Sequence, residues 1–167
     1  MTEKPVLTLP APLALRAIGE PDHAFLSALY AGTRDDLALM AAEPAFVAQL
    51  IAMQQHVQSQ GFRHAFPQAE HAIVECGGQP LGRLVTDTDR ERVHLVDLAL
   101  LPAARARGHG SAVLRALQAW AAGQGLPLRL SVSHANAAAA RLYARLGFCI
   151  VASDALQQRM QWQAEAP

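Results

Sequence analysis

Apolar positions follow two different periods along this chain, and the switches between them predict its elements. Residues 13–18, "LALRAI", alternate and predict a first strand. Pro21 opens a helical pattern, "PDHAFLSALYAG", with Phe25, Leu26, Leu29 and Tyr30 at its apolar positions. A second helix is predicted from Pro44 to Gln60. There Phe46, Val47, Leu50, Ile51, Met53 and Val57 make a stripe, and Gly61 is the expected C-cap. Strand patterns then return in "HAIVEC" (71–76), "LGRLVT" (81–86) and "VHLVDLALL" (93–101). The turns between them are "GGQP" (77–80) and "DTDRE" (87–91), and Pro102 closes the third strand because proline cannot donate to a ladder. Val113, Leu114, Leu117 and Trp120 recur at helical spacing between Gly108 and Ala122, with Gly123 and Gly125 ending that helix. A strand "LRLSVS" (128–133) and a helix from Asn136 to Leu146, ended by Gly147, come next. "FCIVAS" (148–153) and "LQQRMQW" (156–162) predict a final hairpin. The order β, α, α, β, β, β, α, β, α, β, β describes a mixed α/β domain, with an antiparallel meander feeding a strand–helix–strand unit.

Composition narrows the function. A length of 167 residues suits one domain spanning 1–167, and 51% hydrophobic with 17% charged residues allows a real core. A formal net charge of zero argues against a general nucleic-acid surface, which usually carries a large basic excess. Two cysteines, Cys76 and Cys149, make no disulfide framework and fit a reducing compartment. The start, "MTEKPVLTLP", has no apolar run of leader or membrane-span length, so a soluble, cytoplasmic protein without a membrane partner is expected. His56, His64 and His71 are eight and seven apart, with no tight ligand pair, and no metal is expected. Cys149, next to Phe148, is expected in the core, and Trp120 and Trp162 are expected to pack. "GFRHAFPQAE" (61–70) is expected to be a surface loop, with the lining of an acceptor pocket as the other reading.

The stretch "RARGHGSAVLRAL" (105–117) carries the chemistry. The first N–H groups of a helix have no intrahelical partner, and the helix dipole adds partial positive charge there. Gly108 and Gly110 let backbone approach a ligand closely, and Arg105 and Arg107 bring charge. Together these form a phosphate cradle. His109, Gly110 and Ser111 follow Gly108 without a lysine, so the Walker pattern fails. Val113 stands where a dinucleotide fingerprint needs its third glycine. On this segment alone, an ordinary turn into a helix stays open.

The rest of the C-terminal half adds a second signature. Arg105-x-x-Gly108-x-Gly110 follows "LALLP", and about 30 residues on, beyond a strand, come Asn136, Ala139, Leu142, Tyr143, Gly147 and Phe148. This pair of patterns resembles the GNAT superfamily of acyl-CoA N-acyltransferases, over about residues 70–162. The resemblance implies a mostly antiparallel central sheet whose fourth and fifth strands, 93–101 and 128–133, splay apart. It also implies acetyl-CoA as co-substrate and direct attack by a primary amine in a ternary complex. The diphosphate would lie on the amides of Arg105, Ala106, Arg107, Gly108, His109 and Gly110, with Ser111. The backbone of Leu98, Ala99 and Leu100 would pair with the pantetheine arm like an added strand. Asn136, a helix N-cap, would also touch the cofactor. Tyr143 would be the general acid for the leaving thiolate.

For the base, alternation puts His94, Val96, Leu98 and Leu100 on one strand face and Leu95, Asp97 and Ala99 on the other, with a bulge able to shift this. Counted back from Arg105 without gaps, His94 falls where several members of the family carry a base. Asp97 is the second candidate, its other reading being a buried structural carboxylate, and an ordered water is the third. The acceptor is an unidentified small-molecule or peptide amine, and a homodimer is compatible with the resemblance. A non-catalytic acyl-CoA binder or sensor on the same fold stays open.

Overall fold

The structure is a computed structural model that describes residues 6–165. Half of the stretch read for a leader, residues 1–5, lies outside the described residues. The elements are β1 (Leu13–Ala17), α1 (His23–Ala31), α2 (Asp35–Ala38), α3 (Pro44–Ala65), β2 (Glu70–Cys76), β3 (Gln79–Thr88), β4 (Val93–Leu100), α4 (His109–Gly123), β5 (Leu128–Ser133), α5 (Ala137–Arg145), β6 (Cys149–Ser153) and β7 (Gln157–Trp162). The order is the predicted one, with α2, a single turn, added. The strands form one sheet in the order β1-β2-β3-β4-β5-β7-β6. Every neighbouring pair is antiparallel except β4 and β5.

That parallel pair is short. Only Val93, His94 and Leu95 face Leu128, Arg129 and Leu130, and beyond these residues the two strands separate. A bulge shapes the same strand. Val85 pairs with Asp97 and Thr86 with Leu95, which leaves Val96 without a partner. The extra residue moves every later β4 side chain to the opposite face. Leu95, Leu98 and Leu100 therefore share one face, and His94, Asp97 and Ala99 share the other. This corrects the simple alternation, which set His94 and Asp97 on opposite faces.

Each face of the sheet has its own packing. On one side Val113, Leu114 and Leu117 of α4 are fully buried in a cluster with Leu84, Val93, Leu95, Leu128 and Leu130. Each such burial stabilises by roughly 1.5–3 kcal/mol. The helix stops where Gly125, at φ 67°, donates its N–H to Ala122 and Leu126 donates to Ala121. These two bonds make a Schellman cap, so Gly125 terminates α4 and Gly123 is its last helical residue.

On the other side α1 buries Leu29 and Tyr30 near Leu37, Ile73 and Val85, while α3 buries no side chain completely. The predicted stripe of α3 divides, with Val47, Leu50 and Ile51 half-buried and Phe46, Met53 and Val57 more than half exposed. α3 also runs through Gly61 to Ala65. A helical glycine costs about 1 kcal/mol relative to alanine. Contacts just beyond it offset that cost: the Phe62 ring lies 5.8 Å from the Arg83 guanidinium, and Phe66 meets His94 edge-on at 4.9 Å. Of the expected surface loop at 61–70, residues 61–65 are helix, Glu70 begins β2, and only 66–69 form the connection between them. Cys149 is exposed, contrary to expectation, because β6 is an edge strand with four of its five residues exposed. No helix among the described residues is long and apolar enough to cross a membrane.

Candidate active site

The gap between β4 and β5 opens into a cavity of about 1040 Å³. Leu98, Ala99 and Leu100 line it from β4, Ser133 from β5, and Asn136, Leu142 and Tyr143 from α5 and its cap. Arg105, Ala106, Gly108, Gly110 and Ser111 line it from the start of α4. Past Leu95, β4 is paired only with β3, so the backbone groups of its other edge face the gap. Any extended amide-bearing molecule that enters can pair there as an added strand.

The start of α4 leaves its first amides open toward the gap. Ala106 has φ 57° and Gly108 φ 84°, two left-handed residues that curl the backbone just before the helix. No side chain caps α4, and its first intrahelical bond runs from the Ala112 N–H to the Gly108 carbonyl. The N–H groups of His109, Gly110 and Ser111 therefore carry no partner from the helix. The Arg105 side chain braces the loop. It donates through Nε to the Leu100 carbonyl at 3.1 Å and through Nη2 to the Gly32 carbonyl at 2.8 Å. The side chains of Arg107 and His109 do not line the cavity.

The second signature is a capping motif that fixes a tyrosine. Asn136 caps α5, its Oδ1 accepting from the Ala139 N–H at 3.2 Å. At the other end Gly147, at φ 86°, donates to Ala144, and Phe148 donates to the Tyr143 carbonyl at 3.0 Å. The buried Phe148 ring then packs on the Tyr143 ring at 5.7 Å. This is a Schellman motif with its apolar contact, and it explains the Tyr-x-x-x-Gly-Phe spacing: one end of the motif is Tyr143. Burial, helped by the negative charge of Asp97, pushes the Tyr143 phenol up to about 12.

Asp97 lines the cavity, whereas His94 does not. The Asp97 Oδ2 accepts from Arg83 Nη2 at 2.7 Å and from Nε at 3.2 Å. His94 lies at the zipped end of β4, facing Asp87 on one side and Arg129 on the other. Phe66 covers it, and its Nδ1 is buried without a hydrogen-bond partner among the described residues. Burial, with Arg92 and Arg129 nearby, holds its pKa below the usual imidazole range. The gap thus brings together Asp97, Tyr143, Asn136 and the α4 cradle, and it leaves His94 outside. The wall from α1, the turn after it and α3, which includes Leu26, Tyr30, Thr33 and Gln58, carries no motif that sequence reading can find. Among the described residues, no cluster of histidine, cysteine and carboxylate side chains has the geometry of a metal site.

Comparison with known proteins agrees with this geometry. In a search of curated protein sequences nothing matches. Among solved structures, the PaiA N-acetyltransferase of Thermoplasma acidophilum in complex with coenzyme A superposes with a TM-score of 0.65 at 14% identity, covering 91% of this chain and 99% of that one. The acetyltransferase of Salmonella typhimurium that modifies the N-terminal serine of ribosomal protein L7/L12 gives 0.66 at 16% identity, over 95% and 99%. YncA of Salmonella typhimurium with its cofactor acetyl-CoA gives 0.52 at 21% identity, over 90% and 93%. These likenesses are of fold. The family model described as the acetyltransferase (GNAT) family matches residues 37–148, more than half of the sequence, and the chain belongs to that family.

Proposed function

We propose that this protein moves an acetyl group from acetyl-CoA to an amine by direct attack in a ternary complex. The observation that carries the reading is the half-open β4–β5 pair with uncapped helix-start amides at its foot. The residues present fit the co-substrate. The Arg105 N–H is already taken by the Pro102 carbonyl at 3.2 Å, so the amides of the loop after it, up to Ser111, hold the diphosphate, the free edge of Leu98 to Leu100 holds the pantetheine arm, and Asn136 lines the opposite wall. Each exposed helix-start contact to an anion is worth roughly 0.3–1 kcal/mol, and several act together. Acetyl-CoA supplies an activated acyl carbon and a thiolate leaving group.

The chain's own groups manage protons and position. Asp97, held by Arg83, draws the acceptor's ammonium into the gap and takes up the proton that its nitrogen sheds, directly or through a water. That deprotonation is a real cost, since a lysine-like amine at pH 7 sits about 3.4 units below its pKa, or roughly 4.6 kcal/mol. Tyr143 gives its proton to the sulfur as the carbon–sulfur bond breaks and the carbon–nitrogen bond forms, and it recovers a proton from solvent. The phenol is protonated at neutral pH at its ordinary value of 10.0 as well as at about 12, so the proton is in place before the carbon–sulfur bond breaks. His94, which lies outside the cavity, is not given the role of base in this reading.

Calorimetry and a thiol-release assay test the proposal together. Coenzyme A binds and ATP does not, and at least one amine in a broad panel releases free thiol from acetyl-CoA. Binding without release from any amine would favour a sensor on the same fold.

A further inference from the structure

A second cavity of about 530 Å³ lies against the first, between α1, the C-terminal half of α3 and the β2–β3 hairpin. The two share Leu26 and Arg83 as walls. Its charged and titratable lining consists of Arg63, Arg83, His23, His56 and His71, with no aspartate or glutamate. Such one-signed walls focus a positive potential.

The arginines differ from the others on this side of the sheet. Arg16 is spent on Asp22 and Glu75, at 2.7 and 2.5 Å, and Arg34 on Asp36 at 2.7 Å. Arg63 makes no ion pair or hydrogen bond among the described residues. Arg83 is 9% exposed and fixed from three directions: Asp97 takes Nε and Nη2, Gln58 accepts from Nη2 at 3.3 Å, and the Phe62 ring flanks the guanidinium. Its Nη1 has no partner among the described residues. The positive field reaches His71, where burial and then Arg83 and Arg63 hold the pKa below its usual range. One guanidinium thus presents a paired edge to the Asp97 carboxylate in the large cavity and an unpaired nitrogen, and it stands between the two spaces.

We infer that the acceptor is a small amine that also carries an anionic group, in the manner of a free amino acid, with the anion held in the smaller cavity by Arg63 and Arg83 and the amine directed at Asp97. The inference rests on the acetyl-transfer reading above and adds the chemical class of the acceptor. A space of about 530 Å³ suits a small molecule rather than a long chain. The arrangement matches the two charges of such a molecule: a carboxylate for the ammonium, and guanidinium groups for the anion. It also makes Arg63 a specificity residue, because it is exposed and has no structural bond to lose.

Matched amines separate the possibilities. Each is offered as carboxylate, phosphonate and carboxamide, and thiol release from acetyl-CoA is followed at steady state. A charge-assisted hydrogen bond contributes about 1.5–3 kcal/mol. The charged members therefore exceed the carboxamide by about 10- to 150-fold in kcat/KM, mainly through KM. A carboxylate preferred over a phosphonate identifies the anion as a carboxylate, and the reverse identifies a phosphate-like group. In Arg63→Gln, which leaves the core untouched, the ratio of charged to neutral partner collapses by about tenfold or more. Without coenzyme A, an N-acetyl amino acid raises the Tm of the wild type more than its amide does, and the difference shrinks in Arg63→Gln. Equal rates for charged and neutral partners, or a ratio that Arg63→Gln leaves intact, overturn the inference while acetyl transfer stands. No release from any amine, with coenzyme A still bound, overturns acetyl transfer and this inference with it.

Discussion

The two long helices, α4 and α3, cover opposite faces of one sheet and are built differently. α4 buries Val113, Leu114, Leu117 and Ala121 completely and ends in a Schellman cap. α3 is longer, buries nothing completely, keeps a glycine near its C-terminal end and leaves Phe46, Met53 and Val57 exposed. The first supports the anion cradle and the gap between β4 and β5. The second supplies Gln58, Phe62 and Arg63 to the proposed acceptor side. The difference teaches that the two halves of the site are held with different rigidity. On the proposed reading, the ligand common to the family would sit on the tightly packed helix, and the surface that selects an acceptor on the loosely packed one. Local stability follows the number of buried apolar contacts, so α3 is the easier of the two to displace.

That contrast breaks most directly at Leu117. Leu117→Ala in the α4 core costs about 2–5 kcal/mol of unfolding free energy, read by denaturant titration. A loss below about 1 kcal/mol would mean that α4 is no better anchored than α3. Tyr143→Phe keeps the ring on Phe148 and removes the proton. It lowers kcat by about 10²-fold, equal to about 2.7 kcal/mol, with coenzyme A affinity unchanged. The same variant has a stability signature. Unfolded tyrosine ionises at 10.0 and folded Tyr143 at about 12, so the unfolded state sheds its proton first. Wild-type stability therefore falls further as pH rises from 10 to 12 than that of Tyr143→Phe. Gly147→Ala forces a left-handed φ of 86° on a residue with a Cβ and costs roughly 1–2 kcal/mol. It also loosens the cap that holds Tyr143, so activity falls with stability. Met53→Ser on the exposed face of α3 changes stability by no more than about 0.5 kcal/mol. A large loss there would show that the α3 face is covered in solution.

The cradle and the Tyr143 cap were legible in the sequence because each is written within a few consecutive residues. Gly108 and Gly110 stand at the start of α4, and Gly147 and Phe148 close the turn that begins at Tyr143. The β2–β3 turn was legible for the same reason. Cys76 faces Gln79 across Gly77 and Gly78, both with positive φ. Asp97 and His94 were not separable in this way. Their faces depend on a bulge at Val96, and the bulge is a matter of register against β3. The end of α3 was missed because Gly61 is a local stop signal, whereas the contacts of Phe62 and Phe66 that override it lie on β3 and β4.

The sequence by itself determined the element order, both helix caps around the gap and the glycine-led, uncapped start of α4. Backbone φ preference and nearest-neighbour hydrogen bonds act over only a few residues, so they can be read locally. The tertiary structure alone decided which carboxylate faces the cavity, that Arg83 joins two spaces, and that Arg63 stands unpaired beside the second. Those facts arise where α1, α3 and the sheet meet, between residues tens of positions apart, and burial and charge there depend on which neighbours the fold brings in.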